Sequence, residues 1–113
     1  MKSGGHYLKG ATTGVSQIAI ERVRQRQLGF CAEHDDEHTS ESLARAAACY
    51  ALPTRTYKAQ FDYRRAGVVA VPVGWPWEAQ WWKPTPDDRI RELVKAGALI
   101  AAEIDRLLRI EES

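Results

Sequence analysis

The stretch "TPDDRIRELVKAGALIAAEIDRLLRI", Thr85 to Ile110, constrains the fold more than any other part of this chain. Thr85 suits an N-cap and Pro86 the first helical position. Asp87 and Asp88 complement the positive end of the helix dipole. Ile90, Leu93, Val94, Gly97, Ala101, Ile104 and Leu108 then form one apolar stripe at helical spacing. A helix over about 86–109 is predicted. Gly97 and its neighbouring alanines predict close approach of a second helix, and Asp105 with Arg109 an i,i+4 pair.

Two further helices are expected to pack against it. Val15, Ile18, Ala19, Val23 and Leu28 fall near helical spacing over about 14–28, and Gly29 suits a left-handed C-terminal cap. The segment "ESLARAAACYAL" gives a helix over about 40–52, capped by Thr39 or Ser40 and stopped by Pro53. It is apolar around much of its circumference, so it is expected at the centre of the fold. Between Pro53 and the tryptophans, Tyr57, Ala59, Phe61 and Tyr63 alternate with polar residues, "RRAG" reads as a turn, and "VVAVPVG" is β-branched. A small β-hairpin over about 56–73 is predicted, with Pro72 at an edge or bulge. The fold class is mainly α, three helices and a hairpin, in one domain over 14–113 preceded by a flexible arm over 1–13.

A chain of 113 residues with 44% hydrophobic and 27% charged residues is an ordinary globular composition. Its net charge of +1 argues against a broad DNA- or RNA-binding face. No stretch is apolar enough to span a bilayer, so a cytoplasmic protein is expected. Two cysteines make no disulfide framework, and Cys49, in an alanine-rich run, is expected as a small buried hydrophobe.

All four tryptophans lie in "WPWEAQWWKP": Trp75, Trp77, Trp81 and Trp82. A buried indole needs a partner for its N–H, and an accessible one stacks on purines and cations. In an extended segment Trp81 and Trp82 point to opposite sides, so at least one can face a groove. Lys83 follows at once and can neutralise a phosphate. The same rings can equally serve as core or as a docking surface. Arg22, Arg24, Arg26, Arg89 and Arg91 match phosphate oxygens in a two-pronged geometry, and Arg22 and Arg26 share a helix face. In "EHDDEH", Glu33 to His38, the side chains of His34, Asp35, Asp36 and His38 are of metal-binding type, although the spacing matches no standard zinc pattern. The alternative is an acidic loop that pairs with Arg22 and Arg26. No nucleophile elbow, Walker loop or dinucleotide fingerprint is present, and neither a cofactor nor a catalytic set is predicted.

The segments "ERVRQRQLGFCAEHDDEHTSESLARAAACYA", "WPWEAQWWKP" and "RIRELVKAGALIAAEIDRL" resemble a widespread group of small phage and prophage proteins, over about residues 20–108 without the hairpin. That group in turn resembles the ryanodine-receptor repeat (RyR) domain, whose arginine helix, turn, aspartate pair and basic helix start correspond to Glu21–Gln27, Gly29–Phe30, Asp35–Asp36 and Arg89–Lys95. Phe30 stands where the RyR domain has tryptophan, and the spacing between the halves differs. The resemblance implies a homo-oligomeric protein of the host cytoplasm that sequesters a nucleotide-derived immune signal, of cyclic nucleotide or cyclic ADP-ribose type, without catalysis. The expected ligand-binding residues are Arg22, Arg26, His34, Asp35, Asp36, Tyr50, Trp75, Trp77, Trp81, Trp82, Lys83 and Arg89. Two alternatives stand beside it. One is a Mg-dependent all-α nucleotide pyrophosphatase of MazG-like type, using Glu37, Glu41, Glu103 and Asp105, although its usual carboxylate spacing is missing. The other is a module that docks on a host protein through the aromatic patch.

Overall fold

The computed structural model describes residues 13–27 and 41–112. Three helices and one two-stranded antiparallel sheet follow in the order α1 (Gly14–Gln27), α2 (Ser42–Ala51), β1 (Tyr57–Asp62), β2 (Gly67–Pro72) and α3 (Arg89–Glu112), with one turn of 3-10 helix at Ala79–Trp81 before α3. This is the mainly α architecture with a small hairpin that the sequence predicts. Helix α3 is the spine, with α1 and α2 both packed on it.

Helix α2 ends as expected. Leu52 is already extended, at φ −67° and ψ 133°, because the ring of Pro53 disfavours a helical residue before it. At its start, Glu41 occupies the cap position in the left-handed region at φ 65° and supplies no side-chain cap. Thr39 and Ser40, the expected caps, and Gly29 lie outside the described residues. Leu43, Ala46, Ala47, Cys49 and Tyr50 face inward and pack with Ala96, Leu99 and Ala102 of α3. Small residues on both helices let the backbones come close, and Val71, Trp75, Ala79 and Trp82 close the core from the hairpin side.

The start of α3 differs from the prediction. Thr85 to Asp88 form a turn, with the Asp88 N–H donating to the Thr85 carbonyl at 2.9 Å, and the helix begins at Arg89. Asp88 is the N-cap: its Oδ1 accepts the Arg91 N–H at 2.9 Å. The Thr85 N–H instead donates to Glu92 Oε2 at 3.0 Å. Aspartate is at least as good a cap as threonine, so Pro86 falls in the preceding turn, where its fixed φ also fits.

Helix α1 is rotated from the face expected of it. Ile18 still meets α3, but Val15 and Val23 are exposed, while Glu21, Arg22 and Gln25 are buried against the rest of the molecule. Charge pairing accounts for the rotation. Arg91 Nη2 meets Glu21 Oε1 at 2.6 Å, and Arg22 Nε lies 3.5 Å from Asp105 Oδ2. Asp105 is thus joined to α1. The predicted close approach at Gly97 is present: a Cβ there would lie 2.4 Å from Ile18 Cδ1 of α1.

The hairpin pairs Tyr57 with Pro72 and Asp62 with Gly67 across a four-residue turn. Asp62 Oδ1 accepts the N–H groups of Arg64 and Arg65 at 2.9 and 3.1 Å, and Ala66 turns the chain at φ 55°. The aromatic face, Tyr57, Phe61 and Tyr63, is exposed; Asp62 and Val71 face inward.

Candidate functional site

A hollow of about 360 Å³ opens where all these elements converge. The size falls within the range of small-molecule sites. Its aromatic wall comes from the tryptophan segment. Trp75 is buried, its Nε1–H donating to the Glu78 carbonyl at 3.1 Å, so the indole N–H has the partner that burial demands. Trp77 stands edge-on to Trp75, with ring centres 5.4 Å apart at 83°, and is half-buried. Its carbonyl accepts the Gln60 amide at 3.0 Å, which ties the segment to β1. Trp81 presents an exposed ring at the rim.

Tyr50 of α2 forms the floor. Its ring lies 4.7 Å from that of Trp82 and edge-on to Trp75 at 5.9 Å. The Lys83 N–H donates to Tyr50 Oη at 2.9 Å. Burial pushes the Tyr50 phenol up to about 12, so the hydroxyl stays protonated at neutral pH.

Cations line the remaining sides: Arg24 of α1, Arg64 of the hairpin turn, Lys83 after the tryptophans and Lys95 of α3. Lys95 is buried, with Nζ 2.6 Å from the Lys83 carbonyl and 5.5 Å from the centre of the Tyr50 ring. Burial, reinforced by the nearby Arg91 charge, lowers its pKa to about 8. One carboxylate, Glu21, also lines the hollow, and Arg91 and Arg24 hold it at 2.6 and 3.1 Å. Its charge is therefore answered within the protein, which leaves the hollow electropositive through Arg64, Lys83 and Lys95. Gln25 is 7% exposed and lines the same hollow, and its Oε1 has no hydrogen-bond partner among the described residues. A buried amide oxygen without a donor is costly unless something brings one.

Of the residues singled out in the sequence, Tyr50, Trp75, Trp77, Trp81 and Lys83 come together here. Trp82 faces away, buried with the Arg55 guanidinium 5.3 Å from its ring centre. Arg22 is held by Asp105. Arg26 is exposed in the last turn of α1. Arg89 caps the C-terminus of α2, donating to the carbonyls of Tyr50 and Leu52 at 3.2 Å each and to that of Ala51. His34, Asp35 and Asp36 lie outside the described residues. Arg24, one of the candidate arginines, also lines the site, and Gln25, Arg64 and Lys95 line it without having been expected there. Arg64 sits in a turn remote in sequence, and Gln25 and Lys95 look like ordinary helix-surface residues until the helices are docked.

Of the carboxylates considered for metal chemistry, Glu103 accepts two bonds from Arg106 at 2.7 and 3.1 Å and Asp105 pairs with Arg22, while Glu37 lies outside the described residues. Among the described residues, no three His, Cys, Asp or Glu side chains gather as a metal set. Among the same residues, no helix is long and apolar enough to cross a membrane.

Fold and site together define a small helical domain whose spine and hairpin hold an aromatic, electropositive hollow. No protein-family model matches the chain, and comparison with curated proteins and with solved structures finds no match.

Proposed function

We propose that this protein binds and sequesters a nucleotide-derived small molecule without transforming it, and that it does so as a phage product that withdraws a host immune signal. One observation carries the binding reading: indoles, the cationic residues Arg64, Lys83 and Lys95, and a buried amide oxygen with no partner among the described residues surround a single hollow of ligand size. Indole faces suit a nucleobase, guanidinium and ammonium groups suit phosphate oxygens, and the Gln25 amide oxygen suits an exocyclic amine or a hydroxyl. The test is tryptophan fluorescence and thermal shift against nucleotides, cyclic dinucleotides and ADP-ribose isomers, followed by chromatography of the recovered ligand. Quenching by one of them, with the ligand returned intact, supports the reading. Silence across the panel, or recovery of a hydrolysed product, rejects it.

Self-association belongs to the same reading. Leu93, Ile100, Ile104 and Leu107 are each more than two-fifths exposed on α3, at steps of seven, four and three residues. A second copy of the same helix offers a matching stripe at the same spacing. Light scattering at micromolar concentration is expected to give a dimer or larger, and Ile104→Glu a monomer. A monomeric wild type rejects this part.

A further inference from the structure

A second hollow, of about 590 Å³, adjoins the first. Arg64 and Lys83 line both, so the two hollows share a pair of cationic residues in their walls. Their chemistry differs. The first is walled by indoles and Tyr50. The second is bordered by Asp62, Arg65, Gln80 and one side of Trp82. We infer that the ligand has two parts, a planar ring and a polyhydroxylated group, joined by a diphosphate: the class of the nucleoside diphosphate sugars. This rests on the nucleotide reading above and specifies it.

A single phosphate needs only one cationic end wall, whereas Arg64 and Lys83 belong to the walls of both hollows. A linker that carries negative charge in mid-molecule fits that position, because each phosphate can meet a cation while both flanks remain occupied. In the second hollow the Gln80 amide and the Arg65 guanidinium offer donors to sugar hydroxyls. Val69, Ala70 and Pro84 give an apolar surface to the C–H face of a pyranose or furanose. Gln80 Nε2 already reaches Glu78 Oε1 at 3.4 Å, a long contact that a hydroxyl can replace. Arg65 is mostly exposed and lies 3.6 Å from Asp62 Oδ2, so it can turn toward a ligand at little cost.

The experiment is calorimetric titration of the full chain with matched pairs: AMP and ADP-ribose, GMP and GDP-mannose, UMP and UDP-glucose. For whichever base binds, the diphosphate sugar is expected to bind at least about tenfold more tightly than the monophosphate, since one good additional set of polar contacts is worth about 1.4 kcal/mol. Arg65→Ala with Gln80→Ala, both outside the hydrophobic core, is expected to remove that advantage and leave the monophosphate unchanged. Equal affinity within every pair that binds, or an advantage that survives the double variant, overturns the two-part ligand while the nucleotide reading stands. Binding of none of the six overturns this inference, and silence across the wider panel, cyclic dinucleotides included, overturns the nucleotide reading with it.

Discussion

The Arg55 guanidinium and the Glu92 carboxylate meet at 2.5 Å with both side chains almost fully buried. Arg55 reaches this point from the link between α2 and β1, and its Nε also donates to the Cys49 carbonyl. Glu92 holds the Thr85 N–H with its other oxygen. The pair therefore clasps the end of α2, the entry to the hairpin and the start of α3 under the ring of Trp82. Removing one member leaves the other charged and buried. Glu92→Ala is expected to cost about 3–5 kcal/mol in urea unfolding. The double variant Arg55→Met with Glu92→Leu is expected to recover part of that loss; a double variant no more stable than Glu92→Ala contradicts the clasp.

Gly97 and Ile18 form the contact that seats α1. Alanine at 97 gains about 1 kcal/mol of helix propensity, but its Cβ meets Ile18 Cδ1 and Cγ1 at 2.4 and 2.8 Å. Overpacking of this kind costs about 1–3 kcal/mol. Gly97→Ala is expected to destabilise the wild type and to stabilise the Ile18→Ala background. The same sign in both backgrounds, read from thermal midpoints, refutes the contact.

Trp75 and Trp81 separate the two roles open to the indole cluster. Trp75 is 4% exposed and touches Tyr50, Trp77 and Trp82. Trp75→Ala is expected to cost about 3–5 kcal/mol. Trp81 is 45% exposed, so Trp81→Ala is expected to keep the unfolding midpoint nearly unchanged while it weakens ligand binding several-fold. A large loss of stability in Trp81→Ala places that ring in the core as well.

Lys95 predicts a pH dependence. Its folded pKa of about 8 lies below the 10.5 of an exposed lysine because burial disfavours the ammonium, with Arg91 and Arg24 pushing it further down and Glu21 and Glu92 pushing it up. The unfolded chain binds this proton more tightly, so the lysine opposes folding while charged, and stability rises as pH climbs from about 8 to about 10.5. Tyr50 acts oppositely: folding holds its proton up to about 12, so its contribution is lost as pH rises above 10. Comparison with Lys95→Met cancels the tyrosine. The wild type is expected to gain on Lys95→Met between pH 7.5 and 10; a constant difference refutes the burial of a charged amine there.

Ala66 adopts φ 55° in the hairpin turn. A side chain in the left-handed region is strained, and glycine relieves the strain at some cost in unfolded-chain entropy. Ala66→Gly is expected to stabilise by about 0.5–1 kcal/mol. Destabilisation would mean that the turn is not left-handed at this residue.

Element types were legible in the sequence because they follow from local backbone sterics and from periodicity. Pro53 ends α2 by restricting Leu52, the 85–88 segment starts α3 within one turn of where its caps suggest, and alternation marks β1. The clustering of four indoles beside a lysine was legible too, as was the tolerance of Gly97 for a neighbouring helix. Spacing shows that a face exists; it does not show which face turns inward. On α1 the ion pairs Glu21–Arg91 and Arg22–Asp105 outweigh a thin row of valines, and on β1 Asp62 turns inward to hold the hairpin turn while Phe61 stays at the surface. Those outcomes depend on partners 70 and 83 residues away, or on the packing of a whole sheet, and only the tertiary structure decides them. The site follows the same division: the sequence by itself determined that aromatic rings and cations are available, and docking of α1, the hairpin turn and α3 decided that Arg64, Lys95 and Gln25 join Trp77 and Trp81 around one hollow while Trp82 is turned to the core.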